Sequence, residues 1–337
     1  TKLGILLMNT DSTSEPETKA TRKYLRQFLS DPRVIDIAPW KRWLLLNLII
    51  LPLRPRKTAA AYREIWTDRG SPLLAISRDL AAALKERMPD AEIEIGMAYG
   101  EPSIPDALDI LLAKQVDRVL AVPMFPQYAS ATTGSVVECI YRTAGSKINV
   151  PSLSVLPPYY NDPGYLDAWA QVAGPALAEF DPDHIIFSYH GLPQRQLKTA
   201  DPSGEWCQQK PDCCTHRVTA NRNCYGHHCM ETTKGIVSRL DLPDSMWTLT
   251  YQSRLGNEPW LQPYTDQTIE KMAKQGVKRL AVMCPAFTAD CLETLEEIGM
   301  GGKETFEKAG GQDYLMVPSL NVHPAWVDAL HNLITRI

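Results

Sequence analysis

The sequence predicts an α/β fold of two similar halves, each built on a parallel sheet, and three observations support this prediction. The chain has 337 residues, and at roughly 150 residues per domain this length favours two domains. Short apolar runs alternate with amphipathic segments of helical period, a pattern typical of parallel α/β architecture. Finally, residues 113–126 and 273–287 share one order of features: a helix end, a buried strand, and a turn with proline and an aromatic residue.

The predicted strands are short apolar runs, and the predicted helices place apolar residues on one face. Strands are predicted at residues 3–8, 93–97, 118–124, 185–189, 246–252 and 279–284. Helices are predicted at residues 17–29, 73–87, 104–114, 166–179, 231–240, 265–274 and 324–337. In such folds the site forms at the carboxyl ends of the strands, so candidate residues are sought there.

Proline-rich turns mark the boundary between the predicted halves. They lie at residues 156–158 and 181–183, and proline clusters interrupt regular structure. We therefore assign residues 1–155 to an N-terminal half and residues 156–337 to a C-terminal half. The last helix is a candidate to pack back on the first half.

Composition excludes several classes of protein. Apolar residues make up 44% and charged residues 22%, which is ordinary globular usage and excludes a disordered or collagen-like chain. The net charge of −4 gives no basic face for nucleic acid. The first residues lack the long apolar run and the cleavage site of a secretory signal peptide. We therefore expect a cytoplasmic protein.

A lip segment at residues 40–56 surrounds the longest apolar run of the chain. This run, residues 44–53, is interrupted by Asn47 and Pro52 and is shorter than the roughly 20 apolar residues that a membrane span needs. Tryptophan, lysine and arginine flank it, which suits peripheral contact with a membrane such as the inner membrane. A core helix with a charged rim explains the same pattern.

Two polar motifs follow predicted strands. His190 comes directly before a Gly-Leu-Pro turn that ends its strand, so its imidazole is placed to accept a proton or bind a metal. Asp290, Glu293 and Glu297 follow another strand, and in an α-helix their spacing puts three carboxylates on one face. Such a face can carry divalent cations or protons. A structural histidine and a solvated helix face explain the same residues without chemistry.

Several motifs, in the same order along nearly the whole chain, resemble those of ferrochelatases. The segment Ser188-Tyr189-His190-Gly191-Leu192-Pro193 is similar to their histidine signature. The other matching segments are residues 70–72, 126–128, 132–135, 252–256, 259–261, 263–266, 286–290 and 292–297, together with the lip segment. So many ordered motifs make the resemblance specific.

The resemblance implies two Rossmann-like halves with doubly wound parallel sheets and a porphyrin cleft between them. It implies a metal-chelating lyase that inserts Fe²⁺ into protoporphyrin IX, giving protoheme and two protons, in the last step of heme biosynthesis. His190 and Glu293 match the active-site histidine and glutamate, which meet the substrate iron, and Asp290 and Glu297 match the acidic track. The positions that match the lining of the porphyrin pocket or motifs beside it are Arg54, Ser71, Tyr128, Arg142, Trp260 and Phe287.

The chemistry of metal insertion fits a base and a carboxylate on facing loops. The ring must lose two pyrrole protons and gain a dication, and the two side chains can divide these tasks. The sequence does not assign the tasks to His190 or Glu293. Alternatives are a cobalt chelatase of a sirohydrochlorin-type ring, a coproporphyrin-using ferrochelatase, and a porphyrin or iron–sulfur sensor without catalysis. The oligomeric state is left open.

One segment departs from the family pattern. Ferrochelatases usually have an Asn-[Leu/Met]-Gly stretch after the first strand, whereas this chain has Asn9-Thr10-Asp11-Ser12-Thr13. Without glycine the loop loses easy access to positive φ, and Asp11 adds charge near the expected mouth of the pocket. The conformation of this loop and its contact with substrate are therefore left open.

Cysteines are concentrated in an insert at residues 203–229, which we call the Cys-rich insert. Clustered cysteines in a reducing cytosol favour metal binding or redox chemistry over disulfides. Some bacterial ferrochelatases carry a [2Fe–2S] cluster on an internal insert, and this insert resembles those. The resemblance implies a cluster held by four of five thiolates. The five are Cys207, Cys213, Cys214, Cys224 and Cys229.

The residues of the insert leave alternatives open. A zinc site could also use His216, His227 or His228, and the thiols could be free or oxidised. Adjacent Cys213 and Cys214 are not expected to ligate together. A cluster here would either stabilise the insert or sense oxidants or iron supply. The three cysteines outside the insert are expected to be packing residues; they are Cys139, Cys284 and Cys291.

Overall fold

Two four-stranded parallel sheets organise the protein in a computed structural model, which describes residues 2–11, 13–256 and 258–337, without the side chain of Asp11. The strand orders are β2-β1-β3-β4 and β6-β5-β7-β8, so both sheets follow one order, and every pairing is parallel. This confirms the predicted α/β class. The strands are β1 (Leu3–Asp11), β2 (Glu92–Tyr99), β3 (Arg118–Pro123), β4 (Leu153–Val155), β5 (His184–His190), β6 (Trp247–Gln252), β7 (Arg279–Met283) and β8 (Asp313–Met316).

Helices connect the strands. The α-helices are α1 (Thr18–Ser30), α2 (Pro39–Leu44), α3 (Leu51–Ile65), α4 (Pro72–Arg87), α5 (Ile104–Ala113), α6 (Ser135–Gly145), α7 (Pro163–Phe180), α8 (Gln194–Thr199), α9 (Tyr225–Leu240), α10 (Thr265–Lys274), α11 (Lys303–Lys308) and α12 (Pro324–Thr335). Segments of π-helix span Leu45–Ile50, Ser130–Gly134 and Glu293–Gly302, and short 3₁₀ turns span Thr219–Asn221 and Asp244–Met246. Wide turns of the π type are rare and recur at functional sites.

The six predicted strands are present, while two short edge strands escaped prediction. β4 has three residues and β8 has four, too few to show a period in the sequence. The central strands β1 and β5 contain runs of buried apolar residues on both faces, Ile5–Met8 and Ile185–Phe187, as strands covered by helices on both sides require.

The chain divides into two compact units, each with its own core. The first comprises Thr1–Phe125, Ala129–Pro158 and Leu330–Ile337, and the second comprises Pro126–Tyr128 and Tyr159–Ala329. In the first, α5 and α6 pack on β1 and β3 through buried side chains such as Leu6, Leu108 and Val136. In the second, α10, α11 and the last π-helix pack on β5 and β7 through buried side chains such as Ile186, Leu280 and Phe306.

The lip segment exposes its apolar side chains. Trp40, Trp43, Leu48, Ile49 and Leu53 are each more than half exposed. The core-helix interpretation of this face is therefore wrong. Within the residues that the structure describes, no helix combines the length and apolar character that crossing a membrane demands.

Candidate functional site

His190 is the last residue of β5, and the next residue must be small. Gly191 donates its backbone N–H to the carbonyl of Gln252 at 2.8 Å. A Cβ at this position would lie 2.8 Å from the Gln252 carbonyl oxygen and 3.1 Å from the Trp260 ring. Only glycine allows this approach, so the chain turns here and His190 stands half-buried at the carboxyl end of the strand.

One hydrogen bond fixes the tautomer of His190. Its Nδ1 lies 2.7 Å from the carbonyl oxygen of Gly191. A carbonyl oxygen only accepts, so Nδ1 carries the proton and donates. In the neutral imidazole this leaves the lone pair of Nε2 available to a proton or a metal ion.

A buried glutamine ties the end of β5 to the helix that carries the carboxylates. Gln252, at the end of β6, pairs with His190 in the sheet and is only 3% exposed. Its Oε1 accepts from the Ser188 hydroxyl at 2.7 Å. Its Nε2 donates to the Glu293 carbonyl at 3.0 Å and to the Glu297 carboxylate at 3.3 Å. Gln252 belongs to one of the matching segments, 252–256, but nothing in the sequence alone indicates this role.

Glu293 begins a π-helix, not the predicted α-helix. The segment Glu293–Gly302 follows Asp290 by three residues, so the three carboxylates do not form the α-helical stripe expected from their spacing. The Cys291 thiol is hydrogen-bonded to the half-buried Glu293 side chain, and burial raises the pKa of that thiol. We expected Cys291 only to pack.

The Asp290 carboxylate is occupied by protein groups. One oxygen accepts from the Asn321 side chain at 2.8 Å, and the other accepts from the Thr294 hydroxyl at 3.0 Å and the Ser319 N–H at 3.3 Å. Asp290 is only 7% exposed. These contacts favour a structural role that joins the start of the π-helix to the segment after β8.

The Glu297 carboxylate is bonded to Ser253 and lines a cavity of the second unit. It accepts from the Ser253 N–H at 2.8 Å and from the Ser253 hydroxyl at 2.5 Å. It lines a cavity of about 390 Å³, whose charged lining residues are Arg254, Asp266, Glu296 and Glu297. Neither His190 nor Glu293 lines this cavity.

Three of the predicted porphyrin residues lie in the second unit. Trp260 packs beside Gly191, and its neighbour Leu261 donates to the Leu192 carbonyl. Phe287 is half-buried against the core of the second sheet. Tyr128 is half-buried, and its backbone N–H donates to His228 Nδ1 at 3.1 Å.

The other three lie in the first unit. Ser71 is buried at the position before α4. Arg54 is exposed on α3. Arg142 lies on α6, where it pairs at 3.5 Å with Glu138 and is largely exposed. The Asn9–Thr13 segment continues β1 as far as Asp11, but Ser12 and the Asp11 side chain lie outside the described residues.

Four thiols of the Cys-rich insert lie together near the start of α9. The Cys214 thiol donates to the Cys224 sulfur and lies 3.8 Å from the Cys213 sulfur. Cys207 and Cys224 share one apolar cluster. A Cβ on Gly226 would lie 2.9 Å from the Cys214 sulfur, so this glycine lets the thiol approach the helix.

The N-terminus of α9 favours a thiolate at Cys224. The Cys214 thiol and the N–H groups of His227 and Gly226 lower the pKa of Cys224 to about 7. By contrast, Cys229 is fully buried one turn on, hydrogen-bonded to Tyr225, and burial raises its pKa. Within the described part of the chain, no three Cys, His, Asp or Glu side chains are placed to hold a single metal ion.

Comparisons with known proteins agree with the motifs. Residues 2–337 match the family model described as Ferrochelatase. The ferrochelatase of Pseudomonas entomophila is 44% identical over 328 residues, 97% of each chain. That of Azotobacter vinelandii is 44% identical over 331 residues, covering 98% of this chain and 97% of its own. The fold is similar to SirB from Bacillus subtilis with Fe³⁺, with a TM-score of 0.52, 13% identity, and coverage of 100% of this chain and 95% of that one.

Proposed function

Because this chain belongs to the ferrochelatase family, it is a metal chelatase of the last step of heme synthesis, and we propose that His190 and Glu293 carry the reaction on protoporphyrin IX. Membership in the ferrochelatase family argues against the alternative of a cobalt chelatase that acts on a sirohydrochlorin-type ring. The observation that supports the site best is the Nδ1 hydrogen bond of His190, which leaves Nε2 with a lone pair.

His190 acts as the base in this proposal. Its Nε2 lone pair accepts a pyrrole proton, and the resulting imidazolium is stabilised because Nδ1–H already donates to the Gly191 carbonyl. The turn at Gly191 keeps the ring at the end of β5, so the base need not be oriented when the substrate binds.

Glu293 meets the substrate iron. A carboxylate is a suitable oxygen ligand for Fe²⁺ and offsets its charge while the ring nitrogens still carry protons. Glu297 lies farther along the same π-helix and extends the acidic path, whereas Asp290 positions the start of that helix through its three protein contacts.

The macrocycle is held by residues of the matching motifs. We assign this role to Tyr128, Trp260 and Phe287 in the second unit and to Arg54, Ser71 and Arg142 in the first. Aromatic rings offer apolar area to a planar ring system, and arginines pair with carboxylates such as the propionates of a porphyrin.

Substitution of either proposed catalytic residue should slow turnover strongly. With Fe²⁺ and protoporphyrin supplied without oxygen, we expect His190→Ala and Glu293→Ala each to lower kcat by about 10²-fold or more, because each loses a proton or metal step. Loss of porphyrin fluorescence measures the rate, and Glu304→Gln, an exposed glutamate on α11, is the matched control.

Two outcomes would overturn the proposal. A wild-type protein that binds porphyrin without turnover would be a sensor and not a chelatase. Activity that survives both substitutions would move the chemistry to other residues. A lower KM for coproporphyrin than for protoporphyrin would change the assigned ring but not the site.

We further propose that the Cys-rich insert holds a [2Fe–2S] cluster on Cys207, Cys213, Cys214 and Cys224. The donor chemistry fits, because each iron of such a cluster takes only two protein thiolates, and four thiols, one with a lowered pKa, gather at the N-terminus of α9. This choice includes both adjacent cysteines, unlike the expectation from the sequence. When bound, the cluster cross-links the insert, and metal insertion itself requires no net electron transfer.

Anaerobically purified protein should therefore be brown. We expect equal amounts of non-heme iron and acid-labile sulfide, with visible absorbance that dithionite bleaches. Cys224→Ser should remove this absorbance, while Cys229→Ser and the control Cys139→Ser should keep it, because neither side chain belongs to the group of four thiols. Colourless protein with stoichiometric zinc would contradict the cluster.

The lip segment is proposed to contact a membrane surface. Its exposed tryptophans and apolar residues lie beside Lys41, Arg54 and Arg56, a combination that suits the interface of an anionic bilayer. The contact is peripheral and leaves the protein otherwise in the cytoplasm.

Co-sedimentation with vesicles that contain an anionic lipid tests whether the lip segment contacts a membrane. Replacing two exposed side chains, Trp43→Ser with Leu48→Ser, should weaken co-sedimentation about tenfold or more, because each buries apolar area in the interface. Ile148→Ser removes an even more exposed apolar residue elsewhere and should change nothing. Unchanged binding of the double variant would exclude the lip as the contact.

A further inference from the structure

The geometry points to His228 as the positioning residue for Tyr128, through which the Cys-rich insert sets the affinity for porphyrin. This inference rests on the proposed function, in which Tyr128 contacts the macrocycle. The sequence marked His228 only as an alternative zinc ligand, yet both of its ring nitrogens are occupied by backbone groups.

His228 can satisfy its partners in only one tautomer. Its Nδ1 accepts from the Tyr128 N–H at 3.1 Å, and its Nε2 lies 2.8 Å from the Arg222 carbonyl. Because a carbonyl accepts and an amide N–H donates, the proton sits on Nε2. The ring is 1% exposed and stacks on Tyr160, with centroids 3.7 Å apart and planes 9° apart. Burial and stacking leave it no other orientation in which both bonds survive.

The partner on the far side of the ring belongs to the Cys-rich insert. Arg222 lies two residues before Cys224, and the neighbouring His227 has its Nδ1 2.9 Å from the Cys214 carbonyl. Both histidines lie in α9, where the insert ends, and are held by carbonyl groups of the part of the insert that precedes this helix. The order of the insert fixes the orientation of the His228 ring and, through it, the Tyr128 backbone.

A second contact attaches the same loop to α9. The Gln127 side chain donates to the Thr232 hydroxyl at 2.9 Å, and Thr232 donates to the Tyr160 carbonyl at 2.8 Å. Residues 126–128 are thus held at two successive turns of α9. Gln127 keeps the loop near the helix, while the His228 bond is the one directly on Tyr128.

This arrangement gives the insert a function that involves no electron transfer. If the insert becomes disordered, His228 loses its hydrogen bond to the Arg222 carbonyl and no longer holds the Tyr128 N–H. Tyr128 then samples several positions before porphyrin binds. The cost falls on the binding of the porphyrin. Glu293 is held through Gln252 and the His190 ring through the Gly191 carbonyl, so neither depends on His228.

Two isosteric substitutions separate the two bonds of His228. In His228→Asn the side-chain oxygen can replace Nδ1 and accept from Tyr128. In His228→Gln the side-chain amide can replace Nε2 and donate to Arg222, while the acceptor for Tyr128 is lost. Both lose the stack on Tyr160, so the difference between them reports the Tyr128 bond. Arg222→Ala keeps the carbonyl that accepts from His228 and serves as control.

We expect His228→Gln to raise the KM and the fluorescence-measured Kd for protoporphyrin about fivefold above His228→Asn, since one hydrogen bond contributes about 1 kcal/mol. The KM for Fe²⁺ and kcat should agree in the two variants, and Arg222→Ala should match wild type. If His228→Gln fails to fold, His228→Asn alone should keep porphyrin affinity near that of wild type.

The outcomes distinguish the inference from the proposed function. Wild-type protein without turnover would reject the proposed function. If wild type turns over and Tyr128→Ala weakens porphyrin binding, equal porphyrin affinity of His228→Gln and His228→Asn would overturn the role of His228 alone. A difference between His228→Gln and His228→Asn that is confined to kcat would also overturn the role of His228.

Discussion

The amide of Gln252 is the interaction on which the rest of the site depends. It is buried where β5, β6 and the last π-helix meet, and its two ends accept and donate at once. Removing this amide would delete its hydrogen bonds to the Ser188 hydroxyl and the Glu293 carbonyl, each contributing roughly 1 kcal/mol. The same few bonds therefore stabilise the second sheet and join the end of β5 to the π-helix that begins at Glu293.

The two side chains proposed to react, His190 and Glu293, are oriented by different means. His190 is oriented by its own turn, where Gly191 permits close approach to Gln252 and its carbonyl accepts the hydrogen bond from Nδ1–H. Glu293 is oriented by the start of a π-helix, which Asp290 joins to the segment after β8.

The sequence predicted the central strands and the site motifs because both are local patterns. Continuous apolar runs mark β1 and β5, and the turn after His190 is visible as Gly-Leu-Pro. Prediction from the sequence failed where the structure depends on contacts between residues that are far apart along the chain. The π-helix at Glu293 replaces an α-helix whose periodicity looks the same over so few residues, and Gln252 and His228 act through partners far along the chain. The edge strands β4 and β8 are too short to carry a period.

A double-mutant cycle on kcat/KM tests most directly whether Gln252 couples the base to the metal ligand. If it acts by holding His190 relative to Glu293, then Gln252→Ala should lower kcat/KM strongly in wild type but only slightly in a His190→Ala background, since the geometry no longer matters once the base is gone. Gln267→Ala, on the exposed face of α10, controls for substitution itself. If the fold-losses in kcat/KM of the two single variants multiply in the double variant, Gln252 acts independently of His190. That result would contradict this account.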